Sequence, residues 1–173
     1  MAAILAVFCI VSAGLLSYVY LFTKPKIDLF AKINFNNSLK EVLAEADRFN
    51  AKKSDSNLVY EGVKQDKIIG YAVPVSIRGY SGKIQMMIGI DMAGKVTGVK
   101  IIEQKETPGL GQNILKPNFL DQFINKSTAD PIAPKKDIDA VAGATISSRA
   151  VCDSVREALG LVHKINLEEK GKQ

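Results

Sequence analysis

The stretch Asp139-Ala140-Val141-Ala142-Gly143-Ala144-Thr145-Ile146-Ser147-Ser148 lies just ahead of the last predicted helix. Gly143 allows a close backbone approach. The hydroxyls of Thr145, Ser147 and Ser148 can cap the first turn of a helix. Free N–H groups and the helix dipole make the same place a seat for a phosphate. Taken alone, the stretch is more typical of a simple helix cap, because no P-loop lysine follows it.

A second motif, Glu106-Thr107-Pro108-Gly109-Leu110-Gly111, follows a predicted strand. Its composition alone predicts a Pro-Gly turn. In this order the two motifs resemble the FMN-binding domain in the G subunit of the Rnf complex. They also resemble the domain of its relative, the C subunit of the sodium-pumping NADH:quinone reductase. The resemblance covers most of the chain, including an N-terminal membrane anchor. The compact length favours the Rnf protein.

The resemblance implies that FMN is joined through its phosphate to the hydroxyl of Thr145. Ala142 departs from the Ser or Thr that is usual at its position in the family's attachment motif. Because Thr145 has no neighbouring base, we expect a separate flavin transferase to make the phosphoester. The expected cofactor-binding residues are Asp139, Gly143, Ala144, Thr145, Ser147, Ser148, Glu106, Thr107, Gly109, Leu110 and Gly111.

The family pattern also implies roles for the second motif. The loop from Thr107 to Gly111 is expected to pack near the flavin ring, with an apolar contact from Leu110 and a hydrogen bond from Thr107. Two roles stay open for Glu106, because it can either hydrogen-bond the ring or set the turn.

The function implied by the resemblance is electron transfer. We expect an electron-carrier component of a redox-driven, Rnf-type ferredoxin:NAD oxidoreductase, with other membrane subunits as partners, rather than a stand-alone catalyst. Two alternatives stay open. One is a tethered flavin domain that donates electrons to an extracellular reductase, and the other is a tethered binding domain without a cofactor.

Residues 1–23 predict a transmembrane anchor. They carry no charged side chain, and the apolar run from Ala2 to Phe22 is long enough to cross a bilayer core of roughly 30 Å as a helix. A cleaved signal peptide fits less well, because there is no basic leading segment and no small-residue cleavage site.

The side of the membrane is predicted differently by two arguments. Lys24 and Lys26 follow the anchor with no basic residue before it, so the positive-inside rule favours a cytoplasmic domain. The resemblance implies the extracytoplasmic side, where the flavin transferase acts. We expect the extracytoplasmic side, because large domains often translocate regardless of flanking charge.

The fold class predicted is α+β, with the transmembrane helix followed by one FMN-binding domain that has a mainly antiparallel sheet and flanking helices. We expect a connector over residues 24–37, the domain over 38–166 and a flexible tail over 167–173. A capping box at Ser38–Glu41 predicts an amphipathic helix. The polar run Asn50–Asn57 predicts a loop.

Runs rich in Val, Ile and Tyr predict four strands and one tight hairpin turn. The predicted strands are Leu58–Val63, Lys67–Ile77, Lys83–Ile90 and Lys95–Glu103, with Asp91–Gly94 as the turn after the third. The bend Gly79–Gly82 is typical of a hairpin turn, and Met86 and Met87 are typical of a core. Further on, the pattern predicts a short helix over Pro117–Ile124, a brief strand over Ile138–Val141 and a last helix over Ser148–Lys164.

Composition excludes several classes of protein. The 23 basic residues are spread along the chain and balanced by 18 acidic ones, so the net charge of +5 suits a surface near anionic lipid head groups better than nucleic-acid binding. His163 is the only histidine, and no cysteine pair has metal-ligand spacing. Cys9 lies in the anchor and Cys152 in the last helix, so we expect no disulfide.

Overall fold

The structure is a computed structural model that describes residues 2–54 and 57–170. The chain divides into two compact units, Met1–Asn36 and Asn37–Gln173. The described residues of the first unit, 2–36, belong to a single long helix, α1 (Ala2–Val42).

Helix α1 carries exposed apolar side chains along its first turns. Among the described residues it is the one helix that is long and apolar enough to cross a membrane. It has 41 residues. At about 1.5 Å per residue this is about 60 Å, roughly twice the hydrocarbon core of a bilayer. The helix therefore continues well past the predicted anchor.

The prediction of a separate helix that begins at Ser38 is wrong, because α1 runs through this residue without a break. Asn and Ser side chains often cap helices, which is why the sequence favoured a new start here. However, residues 26–42 contain neither Gly nor Pro, and extending a helix adds a hydrogen bond per residue whereas restarting one requires a new nucleus. Pro25 lies inside the helix and removes one N–H donor without ending it.

The second unit is built on a five-stranded sheet in the order β1-β2-β3-β4-β5, with every neighbouring pair antiparallel. The strands are β1 (Arg48–Ser54), β2 (Asn57–Lys64), β3 (Lys67–Arg78), β4 (Lys83–Asp91) and β5 (Val96–Glu103). The four predicted strands correspond to β2 through β5 and are confirmed. The predicted turn after β4 is confirmed as well, since the Lys95 N–H donates to Asp91 Oδ1 at 2.8 Å.

Strand β1 was missed, because Arg48–Ser54 forms an edge strand where the sequence predicted the end of a helix and a loop. Its residues are mostly polar, and only Phe49 has a side chain of the aromatic or β-branched kind that favours strands. Pairing with β2 therefore overrides a weak local preference. Residues 55 and 56 of the predicted loop lie outside the described part of the chain.

The last helix, α3 (Thr145–Lys170), lies against β3 and β4. One face of this helix is apolar and buried: its buried residues include Val151, Val155, Ala158, Leu159 and Val162. The helix is longer than predicted at both ends. It begins at Thr145 rather than Ser148, and it ends at Lys170 rather than Lys164. Residues 167–170 of the predicted tail are thus helical, and residues 171–173 lie outside the described part.

Between β5 and α3 the chain forms short helical turns and loops. A 3-10 turn (Gly111–Leu115) leads into α2 (Pro117–Leu120) and a second 3-10 turn (Asp121–Phe123), which agrees with the short helix predicted after Pro117. The brief strand predicted at Ile138–Val141 is wrong, since this segment has only an isolated bridge between Pro134 and Ile138.

The core of the second unit lies between the sheet and α3. Met86 and Met87 are fully buried, as predicted. The end of α1 packs on the sheet at Gly89, where the Thr97 hydroxyl donates to the Val42 carbonyl at 2.5 Å. A Cβ at Gly89 would overlap both of these oxygens.

Gly89→Ala is therefore expected to lower the free energy of unfolding by about 1–3 kcal/mol, the usual cost of overpacking. Gly160→Ala in α3 is the matched control, because a Cβ at Gly160 meets nothing within 4 Å. This control is expected to raise stability by about 0.5–1 kcal/mol. Urea unfolding of the full chain in detergent measures both, and a Gly89→Ala protein as stable as wild type would contradict this packing.

Candidate functional site

The two sequence motifs come together at one cleft of about 400 Å³. One wall comes from the loop that follows β5, and the other from the turn before α3 and the first turn of that helix. The bend between β3 and β4 adds a third segment. The lining residues are Tyr80, Glu106, Thr107, Leu110, Gly111, Gly143, Ala144, Thr145, Ile146 and Ser147.

Thr145 is the first residue of α3, and its side chain is exposed. Its hydroxyl makes no hydrogen bond to residues 2–54 or 57–170, so it is not used as a helix cap. The N–H groups of the first helical turn have no acceptor within the helix, and they carry the positive end of its dipole. The start of α3 therefore offers a reactive oxygen and an anion-binding set of N–H groups in the same place.

One contact between the motifs is made by Leu110 and Gly143. A Cβ at Gly143 would lie 3.0 Å from Leu110 Cδ2, so the leucine side chain rests against the glycine. Gly143 also has φ +75, a conformation that side chains other than glycine's rarely adopt. Gly109 has φ +78 but stands clear of the cleft, and its carbonyl accepts a hydrogen bond from Asn113 Nδ2 at 2.8 Å.

Glu106 is buried, with 3% of its surface exposed, and both of its carboxylate oxygens accept hydrogen bonds. The Ser147 hydroxyl donates to Oε2 at 2.7 Å, and the Ser81 N–H donates to Oε1 at 3.2 Å. Gly79 and Gly111 lie so close that a Cβ at either position would collide with the Glu106 side chain. Of the two roles left open for Glu106, these contacts favour the one that sets the turn.

Thr107 lies at the rim of the cleft. Its hydroxyl oxygen is 3.2 Å from that of Ser81, and its carbonyl accepts from the N–H groups of Leu110 and Gln112 at 3.3 and 3.2 Å. These bonds close the turn that the Pro-Gly composition predicted. Leu110 is presented toward the cleft as a result.

Besides Gly109, two other predicted site residues do not line the cleft. Ser148 is fully buried and caps the preceding turn, because its hydroxyl accepts from the Val141 N–H and donates to the Ala144 carbonyl, both at 3.0 Å. Asp139 lines a neighbouring depression of about 260 Å³ instead. Its N–H donates to Gln122 Oε1 at 2.7 Å. This side-chain acceptor takes the place of the backbone carbonyl that a neighbouring strand would provide.

Sequence reasoning missed Tyr80 and Ile146. They are large side chains with 68% and 55% of their surface exposed, and together with Leu110, at 51%, they give the cleft an apolar mouth. Tyr80 had a signal in the sequence, since it is an aromatic residue in a glycine-rich bend, but that bend was interpreted only as a turn. The turn itself is confirmed, because the Gly79 N–H donates to the Gly82 carbonyl at 2.8 Å.

Other reactive side chains lie away from the cleft. Among the described residues no group of His, Cys, Asp and Glu is arranged to hold a metal ion. Burial raises the pKa of the Cys152 thiol to about 12, so this residue is a neutral core side chain at physiological pH. His163 is exposed on α3.

Comparison with known proteins places these features in a family. Residues 1–42 match the RnfG N-terminal region, and residues 79–160 match the FMN-binding domain. The G subunit of a proton-translocating ferredoxin:NAD(+) oxidoreductase complex from Clostridium ljungdahlii is 36% identical over 162 residues, which cover 90% of this chain and 86% of the relative. The chain belongs to the RnfG family, the G subunits of ion-translocating oxidoreductase complexes.

Another member of the RnfG family and two solved structures agree with this assignment. The G subunit of the ion-translocating oxidoreductase complex from Methanosarcina acetivorans is 34% identical over 164 residues, 88% of this chain and 87% of the relative. The C subunit of the Na(+)-translocating NADH-quinone reductase from Parabacteroides distasonis has a TM-score of 0.52 at 23% identity. NqrC from Shewanella oneidensis has a TM-score of 0.50 at 21% identity over 68% of this chain and 67% of that one.

The structural likeness covers 64% of this chain and 62% of the Parabacteroides protein, so this chain spans less than two thirds of that structure. It establishes the fold, and it confirms the predicted α+β class with an antiparallel sheet. Membership of the RnfG family together with the apolar helix α1 makes this chain a membrane protein.

Proposed function

We propose that this member of the RnfG family is a membrane-anchored flavoprotein that relays electrons within an Rnf-type ion-translocating ferredoxin:NAD oxidoreductase complex. Its FMN is attached by a phosphoester to Thr145. The observation that carries the proposal is that both family motifs meet at one cleft, with the exposed Thr145 hydroxyl at the start of α3.

The residues of the cleft fit FMN in size and chemistry. A volume of about 400 Å³ lies within the range of about 300–1,000 Å³ that is usual for cofactor sites. The phosphate needs hydrogen-bond donors and positive potential, which the first turn of α3 supplies. The ring needs flat apolar contacts, which Tyr80, Leu110 and Ile146 offer at the mouth of the cleft.

Five residues of the cleft have their own tasks in this proposal. Thr145 holds the phosphate covalently, and the N–H groups beside it neutralise part of its charge. Leu110 packs on the ring, and Thr107 donates a hydrogen bond at the rim. Gly143 and Ala144 allow the backbone to approach the phosphate closely. When bound, FMN supplies the electron-transfer chemistry itself.

Attachment needs help from a second protein. A new P–O bond forms to Thr145 Oγ1 while the bond to a leaving group on the same phosphorus breaks, as it would in a flavin dinucleotide that releases a nucleoside monophosphate. The hydroxyl proton must go to a base. The cleft residues include no histidine or lysine, and both oxygens of the lining Glu106 carboxylate already accept hydrogen bonds from Ser147 and Ser81. We therefore assign the base to a flavin transferase.

The side of the membrane and the partners follow from this assignment. The transferase must reach the cleft, and we place the FMN-binding domain on the extracytoplasmic side together with that enzyme. Helix α1 anchors it in the lipid bilayer, and Lys24 and Lys26 lie next to the head groups. The electron donors and acceptors are other membrane subunits of the complex.

Cysteine labelling tests the orientation. In a Cys9→Ala background, Ala129→Cys puts a thiol on an exposed loop of the second unit, while the buried Cys152 does not compete because its thiol stays neutral. A membrane-impermeant maleimide added to intact cells is expected to label Ala129→Cys. Ala3→Cys, at the opposite end of the anchor, is expected to react only after permeabilisation. The reverse pattern would place the domain in the cytoplasm.

The attachment site is tested by Thr145→Ala. Without a side-chain oxygen no phosphoester forms, so the variant made together with the flavin transferase is expected to lose the fluorescent band on a denaturing gel. Thr145→Ser keeps a hydroxyl and is expected to retain part of it. Loss of a simple capping hydroxyl would instead cost about 0.5–2 kcal/mol of stability and leave the band in place.

Thr128→Ala is the matched control for this experiment. Thr128 lies on the loop before α3, outside the cleft lining, so its loss is expected to leave the band at full intensity. Wild-type intensity from the Thr145→Ala protein would move the attachment elsewhere, with Ser147 and Ser148 as the next hydroxyls to test.

The ring contact is tested by Leu110→Ala. Since packing and attachment use different atoms, the variant is expected to keep its covalent flavin while its visible absorbance or midpoint potential shifts. Leu115→Ala is the control, because Leu115 is similarly exposed, at 43%, and lies outside the cleft. Identical spectra and potentials for both variants would place Leu110 away from the ring.

A further inference from the structure

One buried hydrogen bond joins the two motifs directly. The Ser147 hydroxyl donates to Glu106 Oε2 at 2.7 Å, across 41 residues of sequence. Both side chains are almost fully buried, at 1% and 3% exposure. A hydrogen bond to a charged group that is shielded from water is stronger than one at a surface.

The position of Glu106 in this bond is fixed from several sides. Gly79 and Gly111 close in on its side chain, leaving no space for a Cβ at either position, and the Ser81 N–H holds the second oxygen. The carboxylate therefore sits in a slot built by the β3–β4 bend and by its own loop. From that slot its Oε2 accepts a hydrogen bond from Ser147 of α3.

We propose that the Ser147–Glu106 hydrogen bond is a positioning latch that fixes the first turn of α3 against the loop from Glu106 to Gly111. The inference rests on the proposed function, because it assigns the latch the task of setting where Thr145 and Leu110 meet the cofactor. It also gives Ser147 a role different from the expected one. Its proton is directed to Glu106, so it is a positioning residue rather than a phosphate ligand.

The latch matters because both ends of the cofactor depend on it. Thr145 lies two residues before Ser147 on the same helical turn, and Leu110 lies four residues after Glu106 in the same loop. A small rotation of the helix relative to the loop would move the attachment oxygen away from the apolar contact. Displacements of about 1 Å at a reacting atom can slow a reaction about a hundredfold.

The test compares serine-to-alanine variants of the full chain in detergent. Ser147→Ala removes the latch. Ser154→Ala removes another buried hydroxyl of α3, one that has no hydrogen-bond partner among the described residues. Gly89→Ala supplies a protein destabilised at a site outside the cleft lining, so that loss of stability and loss of positioning are separated.

With purified flavin transferase and a flavin dinucleotide, Ser147→Ala is expected to lower the kcat of covalent attachment by about tenfold or more. Its KM is expected to change little, because the surface that the transferase binds is intact. The Ser154→Ala and Gly89→Ala proteins are expected to be modified at the wild-type rate below their melting temperatures. Equal kcat values for Ser147→Ala and Ser154→Ala would overturn the latch.

Substitutions of Glu106 separate the bond from its charge. Glu106→Gln is uncharged, but its oxygen can still accept from the Ser81 N–H while its amide donates to the Ser147 hydroxyl. This variant is therefore expected to keep most of the wild-type rate of covalent attachment. Glu106→Ala has no such group and is expected to behave like Ser147→Ala. If Glu106→Gln is as slow as Glu106→Ala, the negative charge and not the latch is what the site requires.

A readout without flavin distinguishes failure of the latch from failure of the proposed function. In the flavin-free protein, amide hydrogens of Leu110 and Gln112 are expected to exchange faster in Ser147→Ala than in Ser154→Ala. Equal exchange in the two variants would overturn the latch whatever the flavin result. Wild-type protein that takes up no covalent flavin from an active transferase would overturn the proposed function instead.

Discussion

The burial of one face of α3 on the sheet determines where the first turn of this helix lies. Side chains such as Val151, Val155, Leu159 and Val162 are at most 2% exposed, and burying each contributes about 1.5–3 kcal/mol. Because these residues fix the axis of the helix, its first turn has one available position, next to the loop after β5. The position of the cleft therefore follows from core packing. The polar contacts at its walls adjust the positions of side chains within that arrangement.

Local sequence was sufficient to predict most of this framework. The Val- and Ile-rich runs of β2 to β5 have strong strand preference, and the periodic apolar face of α3 has strong helix character, so local and tertiary forces agree. They disagree at Arg48–Ser54, where polar residues become an edge strand only because β2 provides a partner. They also disagree at Ser38. Serine is typical of helix caps, yet α1 continues through this residue.

The candidate site was likewise predicted only in part. The resemblance carried by the two motifs, with a glycine at 143 and a hydroxyl at 145, implied that Leu110 and Thr145 serve one site, and the structure brings them into one cleft. The sequence alone did not reveal which hydrogen-bond partner each serine hydroxyl has. Ser147 and Ser148 are neighbours of the same type, yet one bonds to Glu106 and the other to the turn at Val141. That difference depends on helix rotation, for which a run of two serines carries no signal.

The central claim is that Thr145 carries the cofactor in the assembled protein. Cleavage after Lys136 and Arg149 releases a fragment of residues 137–149 that contains Thr145 together with both neighbouring serines. Mass spectrometry of this fragment, from protein extracted from membranes that also contain the flavin transferase, tests the claim most directly. The account predicts the added mass of an FMN phosphoester on the fragment, with fragment ions that assign it to Thr145. An unmodified fragment, or an adduct on Ser147 or Ser148, would contradict it.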